Sequence, residues 1–104
     1  MIIHEFTKES FNENLNDGVV LIDFFATWCG PCKMLFPVLD KVLESMPDVK
    51  LLKVDIDKYQ DIAREYKIMS VPTLLLYKNG EFINSKLGYM PVDILTNWIT
   101  ESIK

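Results

Sequence analysis

The sequence predicts an α/β fold. A mixed five-stranded sheet, three parallel strands plus an antiparallel edge hairpin, carries helices on both faces. Three observations lead there. The stretch "GVVLIDFFA" at 18–26 is nearly all apolar and rich in β-branched and aromatic residues, as a fully buried central strand should be. Apolar runs alternate with stretches of helical period, which is the βαβ pattern. Finally, "TLLLYKNGEFINSKLG" at 73–88 reads as a hairpin turning at Asn79-Gly80, two residues that accept positive φ at low cost.

Taken in order, "MIIHEF" is a short strand, and "TKESFNENL" a short helix with Thr7 as N-cap and Phe11 and Leu15 as an i,i+4 apolar pair. The central strand 18–26 follows. From Pro31 the period changes: Leu35, Val38, Leu39, Val42, Leu43 and Met46 lie on one face of a helix of about four turns. Pro37 lies inside it, and a kink is expected there because proline removes a backbone donor and crowds the preceding turn. "VKLLKVDID" at 49–57 is the next buried strand, and "KYQDIAREY" a short helix with Ile62 and Tyr66 on one side. After the hairpin, "MPVDILTNWITESI" closes the chain as a helix. Pro91 suits its first turn, and Val92, Leu95, Trp98 and Ile99 face the core. Phe24 and Phe36 are also expected in the core.

The 104 residues, 49% hydrophobic and 25% charged, suit one domain over 1–104 with a single modest core. A net charge of −4 and a pI near 4.9 give no electrostatic footprint for nucleic acid or an anionic membrane. No apolar run approaches the roughly 18 residues of a membrane span. The N-terminal "MIIHEFTKES" lacks the basic region and long apolar stretch of a signal peptide, so a cytoplasmic location is the expectation.

The only two cysteines, Cys29 and Cys32, stand in "FFATWCGPCKM". Such a pair can be half of a metal site, a structural disulfide or a redox switch. Structural zinc takes four ligands. With one distant His4 and no second CxxC, counting disfavours it and no metal is expected. In a reducing compartment the pair is a poor permanent staple. The bland alternative is two inert core thiols, since free cysteine is often buried. Placement argues for chemistry instead. Cys29 falls at or near a helix N-cap, with Cys32 one turn in. Unpaired backbone donors and the helix dipole there favour a thiolate. Gly30 lets a partner backbone approach, and Pro31 stiffens the ring that oxidation forms.

"WCGPCK" after "LIDFFA", then "VPT" before a hairpin containing "KNGE", resembles the thioredoxin family over essentially the whole chain. The resemblance implies the thioredoxin fold and a protein-disulfide reductase exchanging dithiol for disulfide. Cys29 is then the exposed nucleophile and Cys32 the buried resolving cysteine. Asp23 is the buried carboxylate that accepts a proton from Cys32, and Lys53 its modulating neighbour. Trp28, Gly30, Pro31, Val71, Pro72 and Gly88 form the substrate-docking surface, Pro72 as a cis proline, and Gly80 matches the hairpin turn. No bound cofactor is implied. Electrons come from a thioredoxin reductase, NADPH- or ferredoxin-dependent. The other partners are disulfide-containing proteins, with no nucleic acid and no membrane, and the chain is expected to be a monomer.

The residues themselves leave alternatives. Burial of Asp23 in an apolar strand raises its pKa, unless it reaches solvent at a strand edge. Lys53 between Leu52 and Val54 has a covered stem or snorkels outward. Pro72 is trans on local grounds, since only about 5% of X-Pro bonds are cis. Trp28 is a docking residue or a core aromatic. Phe25, where many relatives carry Trp, Phe36, a larger residue near the helix kink, Met69, Ser70 and Tyr89 depart from the common family pattern; Met69, Ser70 and Tyr89, near the docking groove, bear on partner choice more than on chemistry. Two rival functions use the same residues: a disulfide oxidant or isomerase, whose relatives usually carry His between the cysteines, and a non-catalytic binding subunit.

Overall fold

The computed structural model describes residues 1–104. Its elements run β1 Ile2–Ile3, α1 Lys8–Leu15, β2 Val19–Phe25, α2 Gly30–Ser45, β3 Lys50–Asp55, α3 Gln60–Glu65, β4 Thr73–Lys78, β5 Glu81–Leu87 and α4 Val92–Ser102. The sheet order is β1-β3-β2-β4-β5. β1, β3 and β2 are parallel, and β4 and β5 form the antiparallel side. This is the thioredoxin fold, as expected.

β2 lies in the middle because its apolar run serves two cores. Leu21 points to the side covered by α2 and α4, where Leu35, Leu39, Val42, Leu74, Leu95 and Ile99 pack. Val20, Ile22 and Phe24 point to the side of α1 and α3, against Phe11, Leu52, Val54 and Ile62. The period-two alternation of a strand divides the residues in this way. Each fully buried aliphatic or Phe side chain contributes about 1.5–3 kcal/mol relative to exposure. No helix is long and apolar enough to cross a membrane.

Several expectations need correction. The first strand is Ile2–Ile3 alone, not 1–6. The chain leaves the sheet so that Phe6 can stack on Tyr59, with centroids 4.5 Å apart, and meet Phe11 at 5.3 Å. β3 ends at Asp55, whose Oδ1 accepts the Asp57 N–H at 2.9 Å. That side chain closes a turn in place of the last two strand residues. α3 is correspondingly short, with Tyr66 just past its end. Pro91 is the N-cap of α4, one residue outside the helix. Val92, Trp98 and Phe36 are half-buried at the core rim. Phe24 is fully buried.

Thr7 caps α1 as expected. Its Oγ1 accepts the Ser10 N–H at 3.0 Å, and Ser10 Oγ accepts the Thr7 N–H at 2.9 Å, a reciprocal box. α2 runs through Pro37 as one element. Pro37 leaves the Lys33 carbonyl without its helical donor. The hairpin turn has positive φ at Asn79 (50°) and Gly80 (84°).

Candidate active site

The strand-to-helix step between β2 and α2 carries the cysteines. Cys29 has extended backbone, φ −93°, and is the N-cap of α2, with Pro31 in the first turn. Its Sγ accepts the Cys32 N–H at 3.2 Å, as a serine or aspartate oxygen does at other N-caps. The two cysteines form a disulfide with Cα atoms 5.3 Å apart. Their exposures differ less than expected: 6% for Cys29 and 0% for Cys32. The expected exposed Cys29 is therefore mostly covered. It packs with Ala26 and Cys32, and Phe25, Ile56 and Val71 close around them.

The loop before β4 forms the opposite wall. The Val71–Pro72 peptide is cis. The Val71 carbonyl oxygen lies 3.8 Å from Cys29 Sγ. The Pro72 carbonyl accepts the Gly88 N–H at 2.9 Å, and Gly88 has φ +84°, which tethers this loop to the end of β5. Pro72 itself is buried and Val71 half-buried. Trp28 is 69% exposed, which removes the core-aromatic alternative. Its Nε1 donates to Asp57 Oδ2 at 3.1 Å, so an exposed indole is held in place. Gly30 and Pro31 are exposed, and nothing lies within 4 Å of a Cβ built on Gly30.

Asp23 is fully buried, and neither carboxylate oxygen has a hydrogen-bond partner. Burial pushes its pKa up to about 7, and the Lys53 charge pulls the other way. The solvent-edge alternative is thus excluded. Lys53 is opposite Asp23 in the parallel register of β2 and β3, and is half-buried. Its Nζ lies 3.5 Å from the ring centroid of Phe36 and 5.4 Å from that of Phe25. Burial lowers the pKa of Lys53, against the pull of Asp23 and Asp40. No group of metal-ligating side chains of the kind a cation site needs is assembled anywhere in the chain.

The thioredoxin family model matches residues 2–101. The chain belongs to the thioredoxin family. It is 41% identical to a thioredoxin of Bacillus subtilis (strain 168) over 104 residues, covering 99% of this chain and 100% of that one. A thioredoxin of Chlamydia trachomatis is 44% identical over 95 residues, 91% of this chain and 93% of its own. Among solved structures, a mutant thioredoxin from Halobacterium salinarum NRC-1 superposes with a TM-score of 0.88 at 33% identity, covering 99% of this chain and 91% of that one. Oxidised mitochondrial thioredoxin 3 from Saccharomyces cerevisiae gives 0.87 at 37% identity, with coverages of 96% and 94%. Thioredoxins are thiol–disulfide oxidoreductases, and this chain is one.

The tertiary structure gathers Trp28, Cys29, Gly30, Pro31, Cys32 and Val71 with Pro72 around one cystine, with Gly88 tied to Pro72. Asp23 and Lys53 stand on the sheet below α2. Two contributors escaped the sequence reading: Asp57 holds Trp28, and Ile56 closes on the cystine. Phe36, expected in the core, instead receives the Lys53 ammonium. Asp57 follows a strand in "DID" with no local sign of its partner, 29 residues away.

Proposed function

We propose that this thioredoxin-family chain reduces disulfides of other proteins, with the roles distributed as follows. The Cys29 thiolate attacks one sulfur of a substrate disulfide, and the other substrate sulfur leaves as a thiolate that takes up a proton. A mixed disulfide now joins Cys29 to the substrate. Cys32 passes its proton to Asp23 and attacks Cys29 Sγ. The second substrate sulfur leaves, and the Cys29–Cys32 disulfide remains. Two electrons have moved from the dithiol to the substrate.

The observation that carries this reading is a cystine at a helix N-terminus with a buried, unpaired carboxyl on the strand that leads into it. A thiolate at Cys29 gains the Cys32 N–H and the positive end of α2. Asp23, with its pKa near 7, exists in both protonation states at neutral pH, as a group that accepts and then releases a proton must. Cys32 is already adjacent, so the resolving step is intramolecular and fast. Extended substrate chain pairs with backbone beside Val71 and Pro72, with Trp28, Gly30, Pro31 and Gly88 on the surrounding surface. A thioredoxin reductase, driven by NADPH or ferredoxin, restores the dithiol. The protein works as a monomeric single domain in the cytoplasm.

The test is reduction of insulin disulfides by dithiothreitol with and without the protein. Acceleration is expected; its absence overturns the reductase reading.

A further inference from the structure

Lys53 is half-buried and carries a charge, yet no carboxylate oxygen lies within ion-pair distance of its Nζ, and the ammonium donates no hydrogen bond. Asp23, opposite it in register, has no partner either. The ammonium instead sits over Phe36 at 3.5 Å, with Phe25 at 5.4 Å, and these two rings meet edge to face at 5.2 Å. A cation on an aromatic face is attracted by the ring's negative face, more strongly as the site is desolvated. That attraction decides between nearby positions of a flexible lysine.

We propose that Phe36 is a positioning residue for the exchange reaction: its ring, backed by Phe25, holds the Lys53 ammonium off Asp23 and so keeps that carboxyl unpaired. The inference rests on the reading of Asp23 as proton acceptor. The charged groups that face Lys53 are Asp23 from β2 and Asp40 from α2. Asp40 is exposed, so its attraction is screened. Asp23 is buried, so an ammonium released toward it acts in a low-dielectric setting. An ion pair there would favour the carboxylate and lower its appetite for a proton. Without a ring at position 36 the lysine turns to Asp23, and the acceptor weakens.

The test is the carboxyl carbon titration of Asp23 by NMR in the oxidised protein, where the cystine does not titrate and the carboxyl is read alone. Phe36→Leu and Phe36→Met remove the ring at similar bulk; Phe36→Tyr keeps it. The Asp23 midpoint is expected to fall by about one pH unit in the ringless variants, the low end of what a nearby opposite charge does to a carboxyl, and to stay in place in Phe36→Tyr. In a Lys53→Met background, removing the ring should no longer move it. An unchanged or raised midpoint in the ringless variants overturns the proposal. So does an equal fall in the Lys53→Met background, which would mean that water rather than the lysine reaches Asp23. The titration needs no turnover, whereas the acceptor role itself fails separately, if Asp23→Asn reduces insulin as fast as the parent at pH 7.

Discussion

Asp23 and Lys53 face each other across adjacent parallel strands, yet the ammonium lies on the ring of Phe36 and the carboxyl is left without a partner. The unpaired carboxyl is a cost to the fold, and its size depends on pH.

The usual carboxyl value is 3.8, and burial raises that of Asp23 to about 7. The folded state therefore holds a proton that the unfolded state releases between these values, so stability is greatest below pH 4 at this site and is lost as pH rises through 7. Each pH unit between the midpoints is worth about 1.4 kcal/mol, giving a loss of about 4 kcal/mol. Asp23→Asn lacks this loss. Urea unfolding of the oxidised forms at pH 5 and pH 8 should show the variant gaining on the parent at the higher pH; parallel curves would contradict the buried ionisable carboxyl.

The unequal cysteines predict unequal variants. Cys32→Ser should accumulate mixed disulfides with substrate on non-reducing gels, because the attacker remains and the resolver is gone. Cys29→Ser should form none and should lose more than about 100-fold in reductase rate, since the intramolecular advantage disappears with the attacker. The opposite pattern would exchange the two roles.

Trp28 is exposed and oriented by Asp57, so its value lies in contacts with partners. Trp28→Ala should reduce kcat/KM for insulin about tenfold, the loss of a modest interface anchor, while unfolding free energy changes by less than about 1 kcal/mol. A small aromatic disulfide, which cannot span the surface, should react at nearly the parental rate. Equal losses on both substrates would argue that the indole acts on the chemistry.

At the other end of β4, Gly80 has φ +84°, and a Cβ there would lie 2.9 Å from Asn16 Oδ1. Gly80→Ala should destabilise by about 1–2 kcal/mol through left-handed backbone, with a little more from displacing Asn16. β4 puts this turn about 20 Å from Pro72, so insulin reduction below the unfolding transition should be unaffected.

Patterns that repeat along the chain were legible early. The apolar run around β2, the helical face of α2 and the Asn79-Gly80 turn each state their element through local sterics and burial. The Thr7 cap was legible too, because its partner is three residues away. Ends were harder. β1 shortened because Phe6 found Tyr59 and Phe11, and β3 ended early because Asp55 turned its side chain onto the following backbone; both outcomes are competitions among residues distant in sequence or equally local alternatives. Within the site, the apolar neighbours of Asp23 already foretold desolvation, whereas the position of the Lys53 ammonium was open between a covered and a snorkelling stem.

Residue types and spacing settle the order of elements and the placement of two cysteines at a helix start, because each depends on neighbours within a few residues or on a periodic face. Tertiary packing decides the rest: that Asp23 is sealed from solvent, that Lys53 on β3 meets Phe36 on α2 instead of Asp23, that Cys29 is mostly covered, and that β4, pairing with β2, brings Val71 to the cystine from 42 residues away. Those are contacts between elements, and the energy that selects them appears only when the sheet brings the elements together.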